Sequence, residues 1–122
     1  MNQTLTKPDR TLSRRILATA SYADRFPAGR LRPPVGIIPG TIRSLQELHL
    51  LLAPDDRSLP GINPTALSDW VEKVIGDSAL AQSLRSAHGT ARSYVEWCLT
   101  SHELVGLRMT QARSMLGGEI PL

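Results

Sequence analysis

The chain has 122 residues, 41% of them hydrophobic but only 4% aromatic, with one cysteine and a formal net charge of +3. That length sets a ceiling of one domain, with a core built mainly of Leu, Ile, Val and Ala. A lone Cys98 excludes an internal disulfide and predicts a reducing, cytoplasmic setting. The longest strongly apolar run, Leu50-Leu51-Leu52-Ala53, falls far short of the about 18 residues a membrane span needs.

The charge is unevenly divided. Residues 1–43 hold eight basic residues against Asp9 and Asp24, a net +6. Residues 44–122 hold six basic against nine acidic, a net −3. A basic N-terminal third on a mildly acidic remainder predicts that the first part meets something negative.

In chain order, Pro8-Asp9 opens a helix with Leu12, Ile16, Leu17, Ala20 and Ala23 on one face, ending before Pro27. Ser13-Arg14-Arg15-Ile16-Leu17 has the outline of a twin-arginine export signal. The apolar run behind it is too short and too polar for one, so no export signal is expected. Phe26–Gly40 holds four prolines and three glycines in fifteen residues. Pro33-Pro34 predicts an extended, polyproline-like path, with Val35, Ile37 and Ile38 as apolar teeth and Arg30 and Arg32 as charges. Three readings stay open for it: a loop laid over its own domain, an arm in a groove of another subunit, or a disordered linker.

Thr41–Ala53 reads as a helix with a Ser44/Glu47 capping box and a Leu45, Leu48, Leu51, Leu52 stripe. Pro54-Asp55-Asp56-Arg57 ends it, and Pro60-Gly61 marks a turn. Asn63 caps the next helix with Pro64 at its first position. Leu67, Trp70, Val71, Val74 and Ile75 form its buried face, and Gly76 stops it. Asp77 or Ser78 caps a second helix bearing Leu80, Ala81, Leu84 and Ala87, ended by Gly89. Thr90 then caps a helix with Ala91, Tyr94, Val95, Cys98 and Leu99. Thr100 with Glu103 looks like another capping box, starting a last helix with Leu104, Leu107, Ala112, Met115 and Leu116. Gly117-Gly118 stops it.

The stretch Leu67-Ser68-Asp69-Trp70-Val71-Glu72-Lys73-Val74-Ile75-Gly76-Asp77-Ser78-Ala79-Leu80-Ala81, preceded by Ser44-Leu45-x-x-Leu48, resembles a small prokaryotic all-helical domain family of unknown function. The resemblance covers residues 41–116 and leaves 1–40 outside. It implies a helical fold and brings no catalytic residue.

No constellation names a reaction. Cys98 and His102 share a helix face at i, i+4, but one Cys with scattered His49 and His88 is far from a zinc pattern. Cys98 reads as a small buried apolar residue. Asp55-Asp56 and Asp69 with Glu72 suit a turn and a helix's first turns. Glycine-rich nucleotide loops are missing. Nucleic acid is the alternative for the basic arm, though only Tyr22 and Phe26 interleave with its arginines. Misread as helix-turn-helix, residues 78–88 offer only Gln82 and Arg85 to read bases.

The expected fold is therefore all-α: a bundle of four to five short helices over 41–122, preceded by a basic helix and an extended Pro/Gly-rich arm over 1–40. The expected function is a non-enzymatic accessory subunit of a larger assembly, without catalytic residue, cofactor or metal. Its partner-binding residues are Arg14, Arg15, Arg25, Arg30, Arg32, Pro33, Pro34, Val35, Ile37 and Ile38, and the expected partner is a protein with an acidic surface. On this reading residues 41–122 fold alone when residues 1–40 are deleted.

Overall fold

The computed structural model describes residues 7–34, 36–53 and 58–117. In chain order the elements are α1 (Arg10–Ile16), a 3₁₀ turn (Tyr22–Asp24), β1 (Phe26–Pro27), β2 (Gly29–Arg32), β3 (Gly36–Ile38), β4 (Thr41–Ile42), α2 (Leu45–Leu52), β5 (Leu59–Gly61), α3 (Pro64–Trp70), a π turn (Val71–Ile75), α4 (Ser78–Thr90) and α5 (Tyr94–Leu116). Helices dominate, but the all-α expectation is corrected: residues 26–42 and 59–61 form two small antiparallel sheets, β1–β4 and β3–β2–β5.

The first four strands keep one register. Phe26 faces Ile42, Pro27 faces Thr41, and the Ala28 amide donates to the Gly40 carbonyl at 2.9 Å. Arg30 then faces Ile38, Leu31 faces Ile37, and Arg32 faces Gly36. They are the two arms of one hairpin, interrupted where Gly29 meets Pro39, which has no amide to donate. A side chain at Gly29 would stand 2.5 Å from the Ile38 carbonyl oxygen. The polyproline path is also corrected. Pro33-Pro34, joined by a cis peptide, lies in the hairpin turn, and Gly36 at φ +99° takes the left-handed conformation as the chain returns. Backbone groups laid over a core need partners, and pairing the two arms supplies them.

Strand alternation then decides which residues face inward. Phe26, Ala28 and Ile42 share the inner face and are buried in the same hydrophobic cluster as the helices. Ile16 of α1 joins them at 0% exposure. Trp70 is the anchor: its indole N–H donates to the Asp24 carbonyl at 2.6 Å, and its ring lies 5.7 Å from that of Phe26. The N-terminal third is thus packed on the helices that follow it.

The helices deviate from expectation mainly at their ends. α1 stops at Ile16, and the Ala20 amide instead donates to the Arg43 carbonyl at 2.6 Å. α4 continues through Gly89 to Thr90. α5 is one helix of 23 residues capped by Ser93, whose hydroxyl accepts from the Glu96 amide at 3.1 Å, and Thr100 lies inside it. α5 packs against α1, α2 and α4. Its buried residues include Trp97, Ser101, Leu104, Arg108 and Ala112, a helical period that makes it the spine of the fold. The cap at Asn63 and the stop at Gly76, with φ +81°, are as the sequence indicates.

The π turn places Asp77. Both the Gly76 and Asp77 amides donate to the Val71 carbonyl, at 2.9 and 3.2 Å. Asp77 then caps α4 by accepting from the Leu80 amide at 3.1 Å. It also meets Arg108 of α5 in a two-pronged pair, Nε to Oδ2 at 2.6 Å and Nη2 to Oδ1 at 3.0 Å. Both side chains are at or below 1% exposure. Arg108 Nη1 donates to Gln111 at 3.0 Å. One carboxylate therefore ties the α3–α4 corner to the spine.

Candidate functional site

The root of the hairpin is in the core, and its tip projects. At the tip the inner face carries Arg30, Arg32 and Ile38, and the outer face carries Leu31 and Ile37. β5 extends that outer face with Leu59, opposite Leu31. Ile37 is 70% exposed and Leu31 38%, and β3 pairs only with β2 among the described residues. Beneath the inner face runs a groove of about 330 Å³, lined by Arg30, Arg32, Ile38, Gly40, Ile42 and, from α2, Leu51. Arg30 Nη1 donates to the buried Ser58 hydroxyl at 3.0 Å, which fixes one arginine against the sheet. Arg32 is exposed and makes no ion pair with another described residue. The blade thus presents an apolar outer side and a basic inner side.

The other arginines expected at a partner surface are not gathered here. Arg15 lies against the π turn, with Nη2 donating to the Val74 carbonyl at 3.2 Å and the guanidinium packed on Gly76. Arg14 is exposed on α1. Arg25 is half-buried before β1, close enough to Glu47 for its charge to help hold that carboxyl low. The Arg43 side chain and amide, which donate to Glu47, are the chief cause of that lowering. Arg30, Arg32, Pro33, Pro34, Ile37 and Ile38 do share the hairpin tip. Val35 lies outside the described residues, as do Asp55 and Asp56.

The remaining chemical candidates fall apart in space. Cys98 is buried, and burial pushes its thiol up, away from the reactive thiolate. It neighbours Tyr94, whose hydroxyl donates to the Pro60 carbonyl and accepts from the Ile62 amide at 3.0 Å. Burial pushes that phenol up to about 12. His102 turns instead to His49 of α2: the rings stack with centroids 4.1 Å apart, and His102 Nδ1 donates to the His49 carbonyl at 3.1 Å. Gly106 makes room, since a Cβ there would stand 2.8 Å from His49 Nε2. Asp69 and Glu72 both accept from Arg85, at 3.0 and 2.7 Å, so this carboxylate pair and the base-reading candidate of α4 hold each other. Among the described residues no three His, Cys, Asp or Glu side chains converge on a metal position. Nor is any described helix long and apolar enough to cross a membrane.

The histidine stack carries a pH dependence. Burial first, then the charges of His102 and Arg113, hold His49 below its ordinary value. A depressed folded value means that stability is complete above the unfolded value of about 6.5 and is lost as pH falls through it toward the folded value. Urea midpoints measured from neutral to mildly acidic pH are expected to fall for the natural chain and to fall less for His49→Gln. Observing His49 titrate above the ordinary value by NMR would contradict this.

No family model matches the chain, and no characterised protein or solved structure matches it. The site therefore has to be read from its own chemistry.

Proposed function

We propose that this chain is a non-enzymatic accessory subunit of a protein assembly, docking on an acidic partner through the β2–β3 hairpin tip. The observation that carries this reading is the exposure of Ile37 and Leu31 on one side of a blade whose other side carries Arg32. Side chains of that size left in water at an open strand edge invite pairing with another chain. The partner contributes an extended segment with apolar and acidic residues, because main-chain pairing on β3 supplies affinity and Arg32 selects a carboxylate. The net +6 of residues 1–43 steers such a partner toward this end of the molecule.

The nucleic-acid reading has less support from the same atoms. In the basic segment Arg43 is paired with Glu47, and Arg15 and Arg30 are turned onto a carbonyl and a hydroxyl of the chain itself; Tyr22 and Phe26 are its only aromatic residues, so no stacking series accompanies its other cations.

The test places a photo-crosslinking amino acid at position 37 in the source cells, with and without nuclease. The crosslinked segment is then synthesised and titrated against the purified chain. An acidic segment whose adduct survives nuclease, and which binds Arg32→Glu at least about tenfold more weakly, is the expected result. An adduct that disappears with nuclease, or a segment indifferent to Arg32→Glu, overturns the proposal.

A further inference from the structure

The open edge of the hairpin is short, and its register fixes what can lie beside it. β3 is three residues long, Gly36, Ile37 and Ile38. Pro39 follows with no amide to donate, which limits pairing beyond Ile38. Rows of side chains run across the sheet. On the outer face Leu31 stands opposite Leu59 on one side and Ile37 on the other. On the inner face Arg30 stands opposite Ile38, and Arg32 opposite Gly36.

These rows offer an added strand different neighbours. The outer row ends in Ile37, so the next position on that face takes an apolar side chain. Ile38, 41% exposed, asks the same of its neighbour on the inner face. The Arg32 row differs, because its edge residue has no side chain. A Cβ at Gly36 would meet no atom of the described residues within 4 Å. At φ +99° a side chain there is strained, so glycine keeps the space open. A residue beside Gly36 lies two strand spacings from Arg32, roughly 10 Å, a gap that a Glu and an Arg side chain close together. Arg32 is exposed and holds no ion pair with another described residue, and residues 26–42 contain no acidic side chain to meet it. Arg30 is already turned onto Ser58. Antiparallel pairing is the stronger kind per residue, and both sheets use it throughout. An antiparallel strand passes Ile38, then Ile37, then Gly36.

We propose that β3 selects a protein segment reading apolar–apolar–acidic from its N-terminal side, paired antiparallel: the acidic side chain crosses the space over Gly36 to Arg32, and the middle one lengthens the Leu59–Leu31–Ile37 row. This rests on the hairpin tip being the docking site, and adds the order of residues that Gly36 and Arg32 impose on the partner.

The test uses synthetic blocked peptides with serines on both sides of a three-residue centre: Val-Val-Glu, its reverse Glu-Val-Val, and the charge-reversed Val-Val-Lys. Each is titrated against the nitrogen-15-labelled full chain while NMR follows the Gly36 and Ile37 amides. Val-Val-Glu is expected to shift both saturably, and Glu-Val-Val to bind about tenfold more weakly. In Arg32→Glu the preference is expected to invert, with Val-Val-Lys binding more tightly than Val-Val-Glu. Equal binding of the two orders, or an Arg32→Glu chain that does not prefer Val-Val-Lys, overturns this inference and leaves docking at the hairpin tip standing. No saturable shift at Gly36 and Ile37 with any of the peptides overturns both.

Discussion

Replacing Arg108 with methionine is expected to destabilise the fold by about 3–5 kcal/mol, read as a lowered urea midpoint in far-UV circular dichroism. Asp77 is at 0% exposure, and without the guanidinium its carboxylate has no cation in a place that water does not reach. The methionine fills much of the arginine's volume, so the loss reports the stranded charge rather than a cavity. Asp77→Ala is expected to cost a similar amount, because it takes the carboxylate from the buried Arg108 guanidinium and also removes the cap on α4. The double variant Asp77→Leu with Arg108→Met removes both charges and is expected to recover part of the loss. That non-additivity is the signature of a dry, coupled pair. Single variants each costing under about 1 kcal/mol would mean that solvent screens the pair, as at an exposed salt bridge.

Trp70→Ala is expected to cost about 3–5 kcal/mol, the range for removing a large buried ring. More telling is where the loss appears. Trp70 holds the Asp24 carbonyl and the Phe26 ring. Its removal is expected to raise amide exchange at Ala28 and Ala20, whose hydrogen bonds to Gly40 and Arg43 hold the N-terminal third together. Trp70→Phe keeps an apolar ring but orphans the Asp24 carbonyl, and is expected to cost about 1–3 kcal/mol. If Ala28 and Ala20 keep natural protection relative to the helices in Trp70→Ala, the tryptophan is not the anchor of this segment. The same packing changes what truncation does. Removing residues 1–40 takes Ile16, Phe26 and Ala28 out of the shared core and uncovers Trp70. Residues 41–122 alone are therefore a poor test of partner binding, and point variants at Arg32 and Ile37 are the cleaner instrument.

Local signals determined the parts of this protein whose causes are local. Asn63-Pro64, Gly76 and Asp77 mark the α3–α4 corner because capping and left-handed backbone depend on one residue and its immediate neighbours. Ser93-x-x-Glu96 carries the true start of α5 in the same language. Thr100-x-x-Glu103 competes with it and loses, because a Thr side chain cannot interrupt a helix whose Trp97, Ser101, Leu104 and Arg108 are already buried on one face. The tertiary structure alone decided the hairpin. Along Phe26–Arg32 and Gly36–Ile42 the strand alternation is masked by prolines, glycines and arginines, and its partner β5 comes from a segment that reads as a connector. Strand pairing is between residues far apart in the chain, so no window of local pattern contains it. The same holds for each candidate site. Leu31 and Ile37 become one surface only through cross-strand register. Asp77 and Arg108 become a pair only when the spine passes the corner.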